Sequence, residues 1–78
     1  MTFDLDLDAR GLLCPLPVLK ARKRLGAAAP GTVLRMLADD PAAAIDVPHF
    51  CAEAGHRLIA VEEADGGPAK AYFIRRRD

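Results

Sequence analysis

The period with which apolar residues recur changes along this chain, and each period predicts a different element. Residues 3–9 alternate apolar side chains with three aspartates, which is typical of a strand with one face in water. After Gly11 the apolar residues recur at helical spacing, which predicts an amphipathic helix ending between Gly26 and Pro30. Residues 32–38 are apolar except for one arginine and predict a more buried strand. The first half therefore reads as strand, helix, strand.

The second half begins with a helix signal and ends with two strand-like runs. Asp39 and Asp40 form an acidic cap before Pro41, and a proline fits a first helical turn. Because Pro48 removes an amide and clashes with the preceding turn, we expect a short turn first and the main helix over residues 48–54. Gly55 then suits the end of that helix.

The last two runs, residues 57–63 and 69–75, flank the segment ADGGP, whose Asp-Gly and Gly-Gly pairs favour a tight reversal and an antiparallel hairpin. Right-handed crossovers would make the first three strands parallel and place both helices on one face of a shared sheet. The fold class expected is a two-layer α/β (α+β) sandwich of order βαβαββ. The order of strands within the sheet stays open.

Composition limits the class of protein. Seventy-eight residues fit one domain, residues 1–78, and with 51% hydrophobic but only 5% aromatic residues its core must be mostly aliphatic. Eleven basic residues balance eleven acidic ones, which argues against direct binding to bulk nucleic acid or to an anionic membrane. The three arginines at residues 75–77 are interpreted as a solubilising end of the chain.

The cysteines indicate a compartment. Only Cys14 and Cys51 are present, the amino terminus does not resemble a signal peptide, and no apolar run approaches the roughly 20 residues that span a bilayer. We therefore expect a soluble cytoplasmic protein with reduced thiols and no membrane partner.

The stretch CPLP, residues 14–17, carries the candidate chemistry. If Cys14 caps the first helix, Pro15 and Pro17 lie in its first turn, where their missing amides cost little. The amides of Leu16 and Val18 would then point toward the cap. A cysteine in this position is expected on an exposed loop beyond the carboxyl end of the first strand.

A helix amino terminus stabilises a thiolate, and Arg10 would add to that effect. These surroundings predict a lowered pKa for the Cys14 thiol. The alternative from spacing alone is that Cys14 is a small buried hydrophobic residue, as unpaired cysteines often are.

The runs DARGLLCPLPVLKARKRL, ADDPAAAIDVPHFCAEAGH and AYFIRRR together resemble the TusA/SirA-like sulfur carrier family, with its Cys-Pro-x-Pro motif, over nearly the whole chain. The resemblance implies a four-stranded mixed sheet with two helices on one face. It also implies that Cys14 accepts sulfane sulfur from a donor such as a cysteine desulfurase, as a persulfide, and passes it to an acceptor protein. Members of the family serve 2-thiolation of tRNA, molybdenum-cofactor supply or sulfur oxidation, so the family leaves the pathway open.

One residue departs from the pattern of several members in the tRNA pathway, which have an acidic residue between the two prolines. Here that position is Leu16, and the helical wheel places Leu16 away from the buried stripe and Leu19 near its edge, so an apolar patch is expected beside the thiol. It would favour a different docking partner. The alternative is that this position varies freely.

The remaining candidates are docking residues and residues assigned to structure. Lys20, Lys23 and Arg24 form either a solvated helix face or a docking surface for an acidic partner. Cys51 follows Phe50 in the second helix and is interpreted as a core residue. His49, Cys51 and His56 do not have the spacing of a zinc site, and neither a metal nor a cofactor is expected.

Two functions from different classes follow. The first is a sulfur carrier, a sulfurtransferase in the relay sense rather than a stand-alone enzyme. The alternative is a regulatory or interaction module of the same fold that uses Cys14 for redox sensing or for structure only.

Overall fold

Four strands and two helices follow one another in the order that the hydrophobic pattern predicts. The computed structural model describes residues 1–78. The elements are β1 (Leu5–Asp8), α1 (Leu16–Gly26), β2 (Val33–Ala38), α2 (Ala43–Ala54), β3 (Arg57–Glu63) and β4 (Lys70–Arg75). All bounds except the start of α2 lie within two residues of the predicted ones, and neither helix has the length and apolar character needed to cross a membrane.

The four strands form one mixed sheet in the order β1-β2-β4-β3. β1 pairs parallel with β2, and β4 pairs antiparallel with both β2 and β3, so the first three strands share one direction as predicted. The hairpin turn has a positive φ at Asp65 (57°) and at Gly66 (67°), in the ADGGP segment. β4 therefore lies inside the sheet, between β2 and β3, and β3 forms an edge.

A single cluster of buried side chains joins both helices to alternate residues of β2 and β4. Both helices therefore cover the same face of the sheet. On the opposite face, Arg35 forms an ion pair with Asp6 of the neighbouring strand at 2.8 Å. The aspartates of β1 are compatible with a strand because their side chains face water and a neighbouring cation. The largest fully buried side chains are Leu25, Leu34, Met36, Val47, Phe50 and Ile74.

The expectation that the main second helix begins at Pro48 is wrong, because α2 runs unbroken through Pro48 from Ala43. The buried residues of α2, among them Val47 and Phe50, continue on both sides of the proline, whose ring lies on the exposed side. An interior proline costs about 3 kcal/mol or more. Fully burying two such apolar side chains contributes about 1.5–3 kcal/mol each, which offsets that cost.

Gly55 ends α2 in the left-handed conformation (φ 78°), as the sequence predicts. A side chain there has room but strained backbone, so Gly55→Ala is expected to lower the free energy of unfolding by about 1–2 kcal/mol. Gly26, at the end of α1, has no positive φ and open space around it, so Gly26→Ala is expected to raise stability by about 0.5–1 kcal/mol. Urea unfolding of both variants measures these changes. A Gly55→Ala protein with the same free energy of unfolding as the wild type would contradict the prediction.

Candidate functional site

The loop between β1 and α1 brings Cys14 to the start of α1 but not to its cap position. The cap is Pro15, Leu16 is the first helical residue, and no side chain caps the helix. The Leu16 amide donates to the Leu13 carbonyl at 2.9 Å, so a turn already surrounds Cys14 before the helix begins. The prediction that Cys14 is the cap, with the Leu16 amide directed at it, is therefore wrong by one residue. The Cys14–Pro15 peptide bond is cis.

The backbone of this loop is held by the two aspartates that follow β2. Asp39 accepts a hydrogen bond from the Gly11 amide at 3.0 Å, and Asp40 accepts one from the Cys14 amide at 2.7 Å. The other carboxylate oxygen of Asp40 accepts from the Ala42 amide at 3.0 Å, just before α2. These bonds, the one from Cys14 first, lower the pKa of Asp40. Asp40 thus joins the cysteine loop to the start of α2.

Sequence reasoning assigned Asp39 and Asp40 only to the start of the helix. Their role as loop anchors follows from the sheet, since the parallel strands β1 and β2 are neighbours and end at the same edge. An acidic pair directly after the second strand was the signal for this contact.

The Cys14 thiol donates a hydrogen bond to Asp46, on the first turn of α2, with 2.7 Å between Sγ and Oδ2. This bond favours the protonated thiol and is the largest cause of a raised pKa for Cys14; desolvation and the charges of Asp46 and Asp40 act in the same direction. The predicted lowering of the Cys14 pKa is therefore wrong. Sequence reasoning missed Asp46, because its contact with Cys14 depends on how the two helices pack.

Arg10 does not offset these carboxylates. Its guanidinium binds Asp8 at 2.9 Å and Asp65 in the hairpin turn at 2.6 Å, so its charge is compensated there. The expected contribution of Arg10 to a thiolate at Cys14 is not supported by these contacts. Instead, Arg10 connects the end of β1 to the β3–β4 turn.

The sulfur lies exposed at the mouth of a shallow cleft between the starts of α1 and α2. A wider groove of about 210 Å³ begins at the same place and runs between the two helices past Arg22 and Phe50. The guanidinium of Arg22 lies 5.1 Å above the Phe50 ring. Both cavities are open to solvent, and neither encloses a small substrate.

Three leucines that lie close to Cys14 in the sequence are exposed. Leu16, which the helical wheel placed away from the buried stripe, is 45% exposed, and Leu19, placed near its edge, is 50% exposed; Leu13 is 70% exposed. Sequence reasoning missed Leu13, because a leucine in an irregular loop has no periodicity from which to infer its direction. We call Leu13, Leu16 and Leu19 the leucine patch.

The basic residues of α1 divide between two sides of the helix. Lys20 and Lys23 are exposed, and Lys23 and Arg24 line a separate groove beside β1, where Arg24 donates to the Asp6 carbonyl at 3.3 Å. Arg22, which the sequence analysis did not single out, is the basic residue of α1 that lines the groove with Cys14.

The second cysteine is almost fully buried. Cys51 is 3% exposed within the core, as expected, and burial raises the pKa of its thiol to about 11. His49 lies 3.6 Å from Glu53 on the same helix, and His56 accepts a hydrogen bond from the Arg77 amide at 3.1 Å. No group of three His, Cys, Asp or Glu side chains is placed to hold a metal ion.

The environment of Cys14 predicts a thiol that is protonated at neutral pH. Its thiolate absorbance should develop above the usual range for cysteine, because ionisation places a negative charge beside Asp46. Titrating the ultraviolet thiolate absorbance of the wild type minus that of Cys14→Ser isolates this group from Cys51. A thiolate already present at neutral pH would contradict the geometry.

Two comparisons with known proteins bear on this site. The family model described as sulfurtransferase TusA matches residues 5–76. The crystal structure of a SirA-like protein from Desulfitobacterium hafniense superposes with a TM-score of 0.82 at 25% sequence identity, covering 96% of this chain and 100% of that one. The match spans every helix and strand, including the loop that carries Cys14.

Proposed function

Because this chain belongs to the TusA family of sulfurtransferases, we propose that it is a sulfur carrier whose Cys14 takes up sulfane sulfur as a persulfide. The observation that carries the proposal is the placement of the two cysteines: Cys14 is exposed at a helix start, whereas Cys51 is buried in the core. One sulfur can meet a partner and the other cannot.

The proposed reaction is a relay between thiols. The sulfur of Cys14 attacks the outer sulfur of a donor persulfide, such as that of a cysteine desulfurase, and the donor cysteine leaves as a thiol. An acceptor protein then attacks the same outer sulfur and regenerates the Cys14 thiol. The acceptor serves tRNA 2-thiolation, molybdenum-cofactor supply or sulfur oxidation. Two unpaired cysteines agree with a relay in the reducing cytoplasm.

Partner recognition must rest on the surface around the thiol, since the cleft there is shallow. We propose that the leucine patch contacts the donor or acceptor, because exposed apolar side chains around a reactive group favour a protein partner. Lys20, Lys23 and Arg24 are the proposed outer charges of that surface. Arg10, a docking candidate from the sequence, is already paired with Asp8 and Asp65. The prolines Pro15 and Pro17 hold the start of α1 in place.

Charge reversal tests the outer part of this surface. If Lys23 and Arg24 steer an acidic partner, Lys23→Glu with Arg24→Glu should slow sulfur uptake, and the loss should shrink at high salt. Arg57→Glu, at an exposed position on the edge strand β3, is the matched control. Unchanged uptake in the double variant would remove these two residues from the docking surface.

Sulfur uptake itself is measured by incubating the protein with a cysteine desulfurase, cysteine and pyridoxal phosphate. Peptide mapping by mass spectrometry should find one added sulfur atom on the Cys14 peptide and none on the Cys51 peptide. The Cys14→Ser variant should take up none. Absence of the added sulfur with several desulfurases would contradict the proposal.

The sulfur-uptake measurement also distinguishes the carrier from the regulatory alternative. Cysteines that sense oxidants react as thiolates, and the hydrogen bond to Asp46 favours the protonated thiol of Cys14. That contact argues against oxidant sensing. A protein that took no sulfur from any donor would instead support a module that keeps the fold for binding alone.

A further inference from the structure

We propose that Asp46 is a catalytic residue of the sulfur relay, accepting the proton of Cys14 as its sulfur attacks the donor persulfide. The inference rests on the proposed carrier function and adds a second residue to it. Its basis is the direct contact of 2.7 Å between the Asp46 carboxylate and Sγ, the reacting atom.

Attack by a protonated thiol needs a proton acceptor. A free thiolate would lie beside the carboxylates of Asp46 and Asp40, so the resting group is the thiol. Once Sγ shares a lone pair with the donor sulfur, its proton becomes strongly acidic, and a carboxylate already in hydrogen-bond contact can take it. The contact that restrains the thiol at rest therefore assists it during transfer.

The step balances with thiols alone. A bond forms between Sγ of Cys14 and the outer sulfur of the donor persulfide, while the bond between the two donor sulfurs breaks and its electron pair leaves with the inner sulfur. The proton of Cys14 passes to Asp46 and then to the departing donor thiolate. Sulfane sulfur is transferred without net oxidation or reduction, and release to an acceptor reverses the same steps.

Loading also removes the contact. In the persulfide, Sγ carries no hydrogen, so it has nothing to donate to Asp46, and the terminal sulfur extends the side chain beyond its unloaded length. Asp46 thus binds the unloaded sulfur and not the loaded one.

Other charged groups near the thiol are accounted for. Asp40 precedes α2 and has its oxygens bonded to the backbone amides of Cys14 and Ala42. His49 and Glu53 of α2 and Arg22 of α1 line the same groove farther along. His49 is the only imidazole that lines this groove, and an imidazole is a common proton acceptor, so it requires its own control.

The test compares the pH dependence of loading in single-turnover reactions with a desulfurase that already carries its persulfide. The wild-type rate should change little with pH below the thiol pKa, because Asp46 takes the proton. The Asp46→Asn rate should rise about tenfold per pH unit, following the thiolate fraction. The ratio of the two rates cancels the titration of the donor. His49→Gln should keep the wild-type profile, and Asp46→Glu should restore part of it.

Two further readouts keep the proposal open to contradiction. Iodoacetamide should alkylate Cys14 faster at neutral pH in Asp46→Asn than in the wild type, while the buried Cys51 should stay unreactive, which shows that the variant is folded. Wild-type loading should slow in heavy water, which needs no variant. If the wild type loads but Asp46→Asn follows the same pH profile, or no heavy-water effect is found, Asp46 is not the proton acceptor and the carrier function stands. If the wild type takes no sulfur, both fail.

Discussion

Phe50→Ala is expected to lower the free energy of unfolding by about 3–5 kcal/mol, because it empties the space of a large, almost fully buried side chain. Phe50 is 2% exposed and packs in the core, and the centroid of its ring lies 5.6 Å from the centroid of the His56 ring. A domain of this length has a total stability of about 4–12 kcal/mol, so the loss is a large part of it. Urea unfolding at equilibrium measures the change.

Ile45→Ala on the same helix is the matched control. Ile45 is 75% exposed, so its truncation should change stability by no more than about 0.5 kcal/mol. If the two variants unfolded at the same urea concentration, α2 would not pack on the sheet through the face described. Because Phe50 also lines the thiol groove, sulfur uptake should be measured only at temperatures where Phe50→Ala is folded.

The two cysteines should give opposite results when each is replaced by serine. Cys14→Ser should abolish sulfur uptake and leave stability unchanged, because the side chain is exposed and a hydroxyl can still donate to Asp46. Cys51→Ser should keep uptake and lower the free energy of unfolding by about 1–3 kcal/mol, since it places a hydroxyl among apolar side chains.

Each variant serves as the control for the other, because both make the same chemical change at different depths. Uptake assays and urea unfolding on the same preparations measure both effects. Residual uptake in Cys14→Ser, or lost uptake in a folded Cys51→Ser protein, would contradict the assignment of the persulfide to Cys14.

The raised pKa of Cys14 suits a carrier that meets many thiols and disulfides. A thiol that is protonated in free solution reacts slowly with small oxidants and alkylating agents, which attack thiolates. The proposed proton acceptor already lies against the sulfur, so it can take the proton when a donor persulfide is in place. Slow reaction in solution and transfer within a complex are thus compatible in one site.

The fold follows from the local pattern to a large extent. The alternating residues of β1, the helical spacing of α1 and the ADGGP turn each depend on a period or on backbone preference within a few residues, and all three elements formed where expected. Pro48 is the exception: a local rule ended the helix there, whereas burial of residues on both sides carried α2 through it.

The sequence by itself determined the order of the elements, the family resemblance and the burial of Cys51, but it left Cys14 either exposed or buried. Only the tertiary structure decided the order of strands, the anchoring of the cysteine loop by Asp39 and Asp40, and the direction of the Cys14 pKa shift. The helix start favours a thiolate, but Asp46 lies 2.7 Å from the sulfur and favours the thiol. Thirty-two residues separate this pair along the chain, so only the packing of α2 beside the cysteine loop brings them together.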